Sequence, residues 1–276
     1  MTFHDVAGLR FHVERLGPLD RPPAATVVLV HGFPADTLAT YYFTVAPALA
    51  EAGLDVVMYD QRGHGRTTRP GSGYQLERFV EDLPALLDEL GIAGPVHLVG
   101  NCFGGMVAFG MAVLHPDRVA SIFAIESEPA TPDWATRVAP SLEHGRTDPD
   151  WEASIASISA QHGSHMGRLA LRASRMLRTT ALVDDMLASR LLLEPTEFWR
   201  IRCPVFAVYA ADSDLVDLAD QMVDALPDCR TAVLADQDHF VLSGAPEQIS
   251  TLILSWLAEQ GVAVTRPAGP GLRAAS

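Results

Sequence analysis

Val99-Gly100-Asn101-Cys102-Phe103-Gly104-Gly105, VGNCFGG, carries the reading of the whole chain. It ends a short apolar run, Pro95 to Gly100 (PVHLVG), and opens an apolar segment of helical character, Phe103 to Leu114. Glycines at 100 and 104 flank the cysteine as G-x-C-x-G. A turn of this kind holds its tip residue in a strained conformation, and glycine is needed where strand and helix leave no room for a Cβ. The tip side chain then points out of the sheet, and its neighbours' N–H groups face a reacting atom. Cys102 is therefore a candidate nucleophile. The plainer alternative is a small buried residue beside a tight turn.

Working outward, the apolar run repeats. Ala25–Gly32 (ATVVLVHG), Leu54–Asp60, Val119–Glu126 (VASIFAIE), Pro204–Ala210 and Thr231–Ala235 are short, rich in β-branched residues and uninterrupted. Strands buried on both faces look like this. Segments of helical spacing lie between them: Leu76–Leu90, with Phe79, Leu83, Leu86, Leu87 and Leu90 on one stripe, then Phe103–Leu114, Asp217–Leu226 and Pro246–Leu257. Alternating strands and helices predict an α/β domain with a mostly parallel sheet flanked by helices. A hairpin precedes it, around Arg10–Glu14. From 129 to 199 no strand-like run appears, and the helical period there predicts a cap inserted between core strands. Residues 1–128 and 200–260 make the core. Residues 261–276, rich in proline, glycine and alanine, read as a disordered tail.

Composition narrows the function. The formal charge of −14, with no lysine and all 20 basic residues arginine, excludes a nucleic-acid partner. No apolar run reaches the roughly 18 residues of a membrane span. The N-terminus lacks a basic-then-apolar leader, so a cytoplasmic location is expected. Cys102, Cys203 and Cys229 are odd in number and widely spaced, which predicts free thiols and no metal site. No cofactor is expected, and the chain is read as a monomer or homodimer.

Further motifs join the turn. HGFP (His31–Pro34) follows the first buried run, and the N–H groups of Phe33 and Phe103 are placed to form an oxyanion hole. YDQRGHGRT (Tyr59–Thr67) reads as a structural loop. DQDHF (Asp236–Phe240) sets His239 after the last strand. AADSDLVD (Ala210–Asp217) offers Asp212, Asp214 and Asp217 after the strand before it. Nucleophile, acid and histidine thus occur in the order of a triad, Cys102, Asp214, His239.

Together these motifs resemble the α/β-hydrolase superfamily over roughly residues 3 to 260. The family's turn usually reads G-x-S-x-G, and GNSFGG differs from this chain only at the nucleophile. By the resemblance, the second Asp of AADSD, Asp214, is the triad acid, with Asp212 the fallback. The cap is also similar to that of many members.

Cysteine changes the chemistry expected of such a triad. A free thiol titrates near about 8.5, and lower beside a histidinium or a helix N-terminus, so a resting thiolate–imidazolium pair is expected. The intermediate would be a thioester, open to attack by water, amines, alcohols or thiols. The function expected is hydrolysis of a small to medium ester or thioester. The alternatives are an acyltransferase or lyase on the same triad, or a ligand-binding protein that has lost turnover. The partner expected is a small-molecule acyl substrate, free or carrier-bound. Tyr41, Tyr42, Trp134 and Trp199 are the candidate substrate contacts.

Overall fold

The computed structural model describes residues 2–18 and 21–265, apart from the side chains of His162 and His165. Alternating residues at the start pair as an antiparallel hairpin of β1 (Thr2–Val6) and β2 (Leu9–Leu16). The apolar runs become β3 (Thr26–Val30), β4 (Asp55–Tyr59), β5 (Val96–Asn101), β6 (Val119–Ile125), β7 (Val205–Ala210) and β8 (Cys229–Leu234). They form one eight-stranded sheet in the order β1-β2-β4-β3-β5-β6-β7-β8. From β4 to β8 every neighbouring pair is parallel.

Side-chain alternation along the strands divides the core into two layers. Val28, Val30 and Leu98 point to one face and pack with α3 (Leu76–Glu89) and α4 (Phe103–Leu114). Val27, Leu29 and Val99 point to the other, against α1 (Leu38–Tyr42), α2 (Ala46–Glu51) and the terminal helix α10 (Pro246–Glu259). Two short helices, α8 (Leu218–Ala225) and α9 (Val241–Gly244), follow β7 and β8. Both faces of the central strands are thus covered, which explains why those runs are continuously apolar rather than alternating.

Between β6 and β7 the chain leaves the sheet for α5 (Pro132–Thr147), α6 (Trp151–Thr179), α7 (Leu182–Leu187) and a 3-10 turn at Pro195–Arg200. Helix α6 breaks at Gly163 (φ 87, ψ 162), a backbone conformation suited to glycine. This segment is anchored from its second half. Met176, Leu177, Leu182, Val183 and Met186 are buried in the core beside α3 and α4. Asp185 accepts hydrogen bonds from Gly73 N (2.6 Å), Tyr74 N (3.0 Å) and Gln75 Nε2 (2.8 Å), which ties α7 to the loop that opens α3.

The stretch expected to be a loose tail begins in contact with the core. Val262 and Val264 pack against the α10 layer, and Thr265 N donates to Ala52 O at 3.0 Å. Apolar residues at alternate positions give this short stretch a face to bury. Residues 266–276 lie outside the described residues.

The loop after β4 is fixed by a buried ion pair. Arg62 donates through Nε (2.7 Å) and Nη2 (2.6 Å) to the two Asp82 oxygens on α3. Burial pushes the Asp82 carboxyl up, and Arg62 pulls against that shift. Removing one partner leaves the other charge buried alone. Asp82→Ala should therefore cost about 3–5 kcal/mol, read from urea unfolding.

Candidate active site

Cys102 sits between β5 and α4 with φ 50 and ψ −119. A non-glycine residue there costs roughly 1–3 kcal/mol and persists only where its surroundings fix it. They do so on both sides of the residue. Its N–H donates to Ile125 O at 2.8 Å, and its carbonyl accepts from Gly105 N (3.0 Å) and Ser127 Oγ (2.7 Å). The flanking glycines are required by close approach. A Cβ on Gly104 would lie 2.0 Å from Val30 O, and one on Gly100 would lie 2.5 Å from Gly104 O.

His239 follows β8 in the loop before α9; its ring is hydrogen-bonded to Glu126, and Cys102 lies close enough to raise its pKa. The Nδ1···Glu126 Oε2 distance is 2.9 Å. A carboxylate accepts only, so Nδ1 carries the proton and Nε2 is left for the sulfur. The interactions with Cys102 and then Glu126 outweigh burial and push the imidazole up to about 10.

Glu126 is the residue that the sequence reading missed. It directly follows β6 with φ 50, and its N–H donates to Val208 O at 2.8 Å. Its side chain has 0% exposure. Oε1 accepts from Ala210 N at 2.6 Å, and Oε2 accepts from Ser213 Oγ as well as from His239. A glutamate closing an apolar run at the carboxyl edge of a parallel sheet was the available signal, because ligands and reacting groups gather at that edge.

The structure does not bring Asp214 to His239. Asp214 and Asp212 are both exposed. The turn after β7 directs Ser213, not its acidic neighbours, inward, and the longer glutamate from β6 occupies the place at Nδ1.

The HGFP loop lies beside the turn. Buried His31 donates from Nδ1 to Gly32 O (2.7 Å) and accepts at Nε2 from Gln61 N (3.0 Å). Gly32 N donates to Asp36 at 2.9 Å, and the Phe33 and Phe103 rings meet at 5.4 Å. Phe103 is the first residue of α4, so its N–H has no acceptor within the helix. His64 packs edge-on to Phe33 at 5.6 Å, and burial pulls it down to about 3, so it stays neutral.

The expected substrate contacts are dispersed. Tyr41 is fully buried beneath the sheet, its hydroxyl on Val30 O (3.1 Å) and Val99 O (3.3 Å), and it presents no surface to a ligand. An alternating helix position facing the strands accounts for this. Tyr42 is exposed against Phe43, Trp134 packs half-buried at the start of α5, and Trp199 is 61% exposed. Among the described residues, no group of three or more His, Cys, Asp or Glu side chains is placed to hold a metal ion. No helix among them is long and apolar enough to cross a membrane.

Residues 25–246, most of the chain, match the family model of the alpha/beta hydrolase fold. Epoxide hydrolase A of Mycobacterium tuberculosis (strain ATCC 25618 / H37Rv) is 41% identical over 130 residues, 46% of this chain and 38% of that protein. Non-heme chloroperoxidase of Streptomyces lividans is 33% identical over 113 residues, 41% of this chain and 39% of that protein. The match thus spans well under half the length of these curated relatives. Among solved structures, the enol-lactonase from Burkholderia xenovorans LB400 superposes with a TM-score of 0.73 at 19% identity, covering 93% of this chain and 100% of that one. A thermophilic esterase from Thermogutta terrifontis gives 0.72 at 21%, covering 94% and 98%.

The two acids are separable by substitution. Glu126→Gln should reduce kcat/KM by about 10²–10⁴-fold, since the imidazolium loses its anion and its tautomer is no longer fixed. Asp214→Asn should stay within about twofold, as expected for an exposed side chain away from the ring. Steady-state kinetics on an activated ester compare the two.

Proposed function

The chain belongs to the α/β-hydrolase fold family, and on that footing we propose that it is a hydrolase working through a Cys102–His239–Glu126 triad and an acyl-cysteine intermediate. The observation that carries this is the His239 ring, hydrogen-bonded to the buried Glu126 carboxylate and with its pKa raised by its proximity to Cys102. In the resting state His239 holds the thiol proton, and the Cys102 thiolate faces the carbonyl carbon of an ester or thioester. Attack forms the S–C bond and places charge on the carbonyl oxygen, which the N–H groups of Phe33 and Phe103 are assigned to receive. Collapse expels the alkoxide or thiolate, protonated by the His239 imidazolium. Water, losing a proton to His239, then attacks the thioester and releases the acid and the Cys102 thiolate.

Similarity to proteins named epoxide hydrolases does not extend to that reaction here. A thiolate that opened an epoxide would form a carbon–sulfur single bond with no carbonyl for water to attack. The product would be a β-hydroxy thioether, an alkylated and dead protein. Only an acyl group on sulfur leaves an electrophilic carbon. Thiolate is also a better leaving group than alkoxide, so the first intermediate from a simple alkyl ester tends to revert. Thioesters and activated esters avoid that reversal and are the substrates favoured.

The pH range follows from His239. A base pushed up in the folded protein keeps its proton below its shifted value and loses it above, so the ion pair persists to about pH 10 and is lost beyond it. Turnover should fall as pH rises through that value.

Intact-protein mass spectrometry tests the assignment. Acyl thioesters and activated esters should leave an adduct of acyl mass on Cys102 that decays with time, absent in Cys102→Ala. Added amines or alcohols that shorten its life and capture the acyl group would make the activity transfer rather than hydrolysis. An epoxide should add its whole mass to Cys102 permanently. Undiminished turnover by Cys102→Ala would overturn the reading.

A further inference from the structure

We propose that Ser213 is a positioning residue that orients the Glu126 carboxylate toward His239. This rests on the Cys102–His239–Glu126 reading above. Ser213 lies in the turn after β7 and is buried, beside the exposed Asp214. Its Oγ donates to Glu126 Oε2, the same oxygen that receives His239 Nδ1 at 2.9 Å. The direction of that hydroxyl is fixed from behind: Oγ accepts from Leu215 N at 3.1 Å, and a carboxylate only accepts, so the Ser213 proton points at Glu126. The backbone completes the grip, with Ser213 N on Ala210 O (3.2 Å) and Ala210 N on Glu126 Oε1 (2.6 Å). One turn therefore serves both carboxylate oxygens. The conserving of charge in a fully buried carboxylate depends on such donors, because burial alone favours the neutral acid.

The groups facing Glu126 come from several elements. His239 faces it from the loop after β8, with Cys102 close to the same ring. Tyr209 on β7 donates to Ser127 O at 2.8 Å, and burial keeps it far above its ordinary value, hence neutral. Glu128, two residues on, pairs with Arg137, and its carboxyl is pushed up by burial. Asp212 and Asp214 are exposed to solvent. A serine hydroxyl is the side-chain donor besides His239 on the oxygen that faces the ring.

A hydrogen bond to the charged form favours that form, and bonds to charged groups are stronger than neutral ones. Without the Ser213 donor the carboxylate is held less firmly against His239, and the pairing of the imidazolium with Cys102 weakens.

The test is the pH dependence of Cys102 alkylation by iodoacetamide, followed by mass spectrometry, since thiolate is the reacting form. It needs no substrate. Cys203 and Cys229 are pushed up to about 12 by burial and stay silent over the range used. Ser213→Ala should move the acid limb up by about one pH unit, a roughly fivefold slower reaction at the wild-type midpoint. Ser213→Cys, which keeps the volume but donates weakly, should move it likewise and serves if the alanine variant folds poorly. Ser213→Thr should restore the limb, and Asp214→Asn should leave it in place. An early wild-type limb that Ser213→Ala and Ser213→Cys leave unmoved overturns the role of Ser213 alone. A wild-type limb at the ordinary thiol position of about 8.5 overturns the triad reading and this one with it.

Discussion

A glutamate side chain with no exposed surface is a costly thing to place in a protein interior, and Glu126 is such a side chain. Its cost is met by partners from the ends of two other strands. Ala210 N and Ser213 Oγ come from the end of β7 and His239 Nδ1 from beyond β8, while Glu126 itself directly follows β6. The neighbouring Ser127 reaches across to the Cys102 carbonyl at the end of β5. The carboxyl edges of four adjacent strands are therefore fixed relative to one another by a few hydrogen bonds around one anion. The parallel sheet supplies coarse alignment, and the buried anion supplies the finer one.

That constraint also explains the positive φ of two non-glycine residues at this edge. Cys102 (φ 50) and Glu126 (φ 50) directly follow neighbouring parallel strands, and Cys102 N donates to Ile125 O between them. In each case the backbone turns sharply so that a side chain projects over the strand ends instead of following the pleat. Strain at these positions is tolerated because strand pairing on one side and the glycine-bounded contact with Val30 on the other leave no alternative path.

The sheet was legible in the sequence because burial on both faces writes itself as unbroken β-branched runs, and every such run became a strand. Local geometry around Cys102 was legible for a similar reason: glycine at 100 and 104 records a close approach that no other residue allows. The acid was not. Chain order pointed to the β7 loop, where carboxylates are plentiful, but an exposed loop carries acidic residues for solvation as readily as for chemistry. Glu126 looked like the last residue of a strand, and its role depends on a residue 113 positions away. Tyr41 was misplaced through the same limitation. Its neighbour Tyr42 is exposed while it is sealed in the core, and one step along a helix decides between them.

Sequence similarity and chemistry separate at Cys102. The stretch shared with Epoxide hydrolase A reaches 41% identity, yet it covers less than half of either chain. Likeness over such a stretch bears on the family's frame, whereas the attacking atom of the proposed reaction is a single side chain. Oxygen and sulfur at that position differ less in the geometry they need than in the bonds they leave behind, because an alkyl group on sulfur is a stable thioether while an acyl group on sulfur is an activated ester. The same frame therefore restricts the reaction differently according to one atom. With sulfur at the tip, an imidazole poised on a buried anion has a reactive carbon to act upon in the second step only when that carbon is a carbonyl.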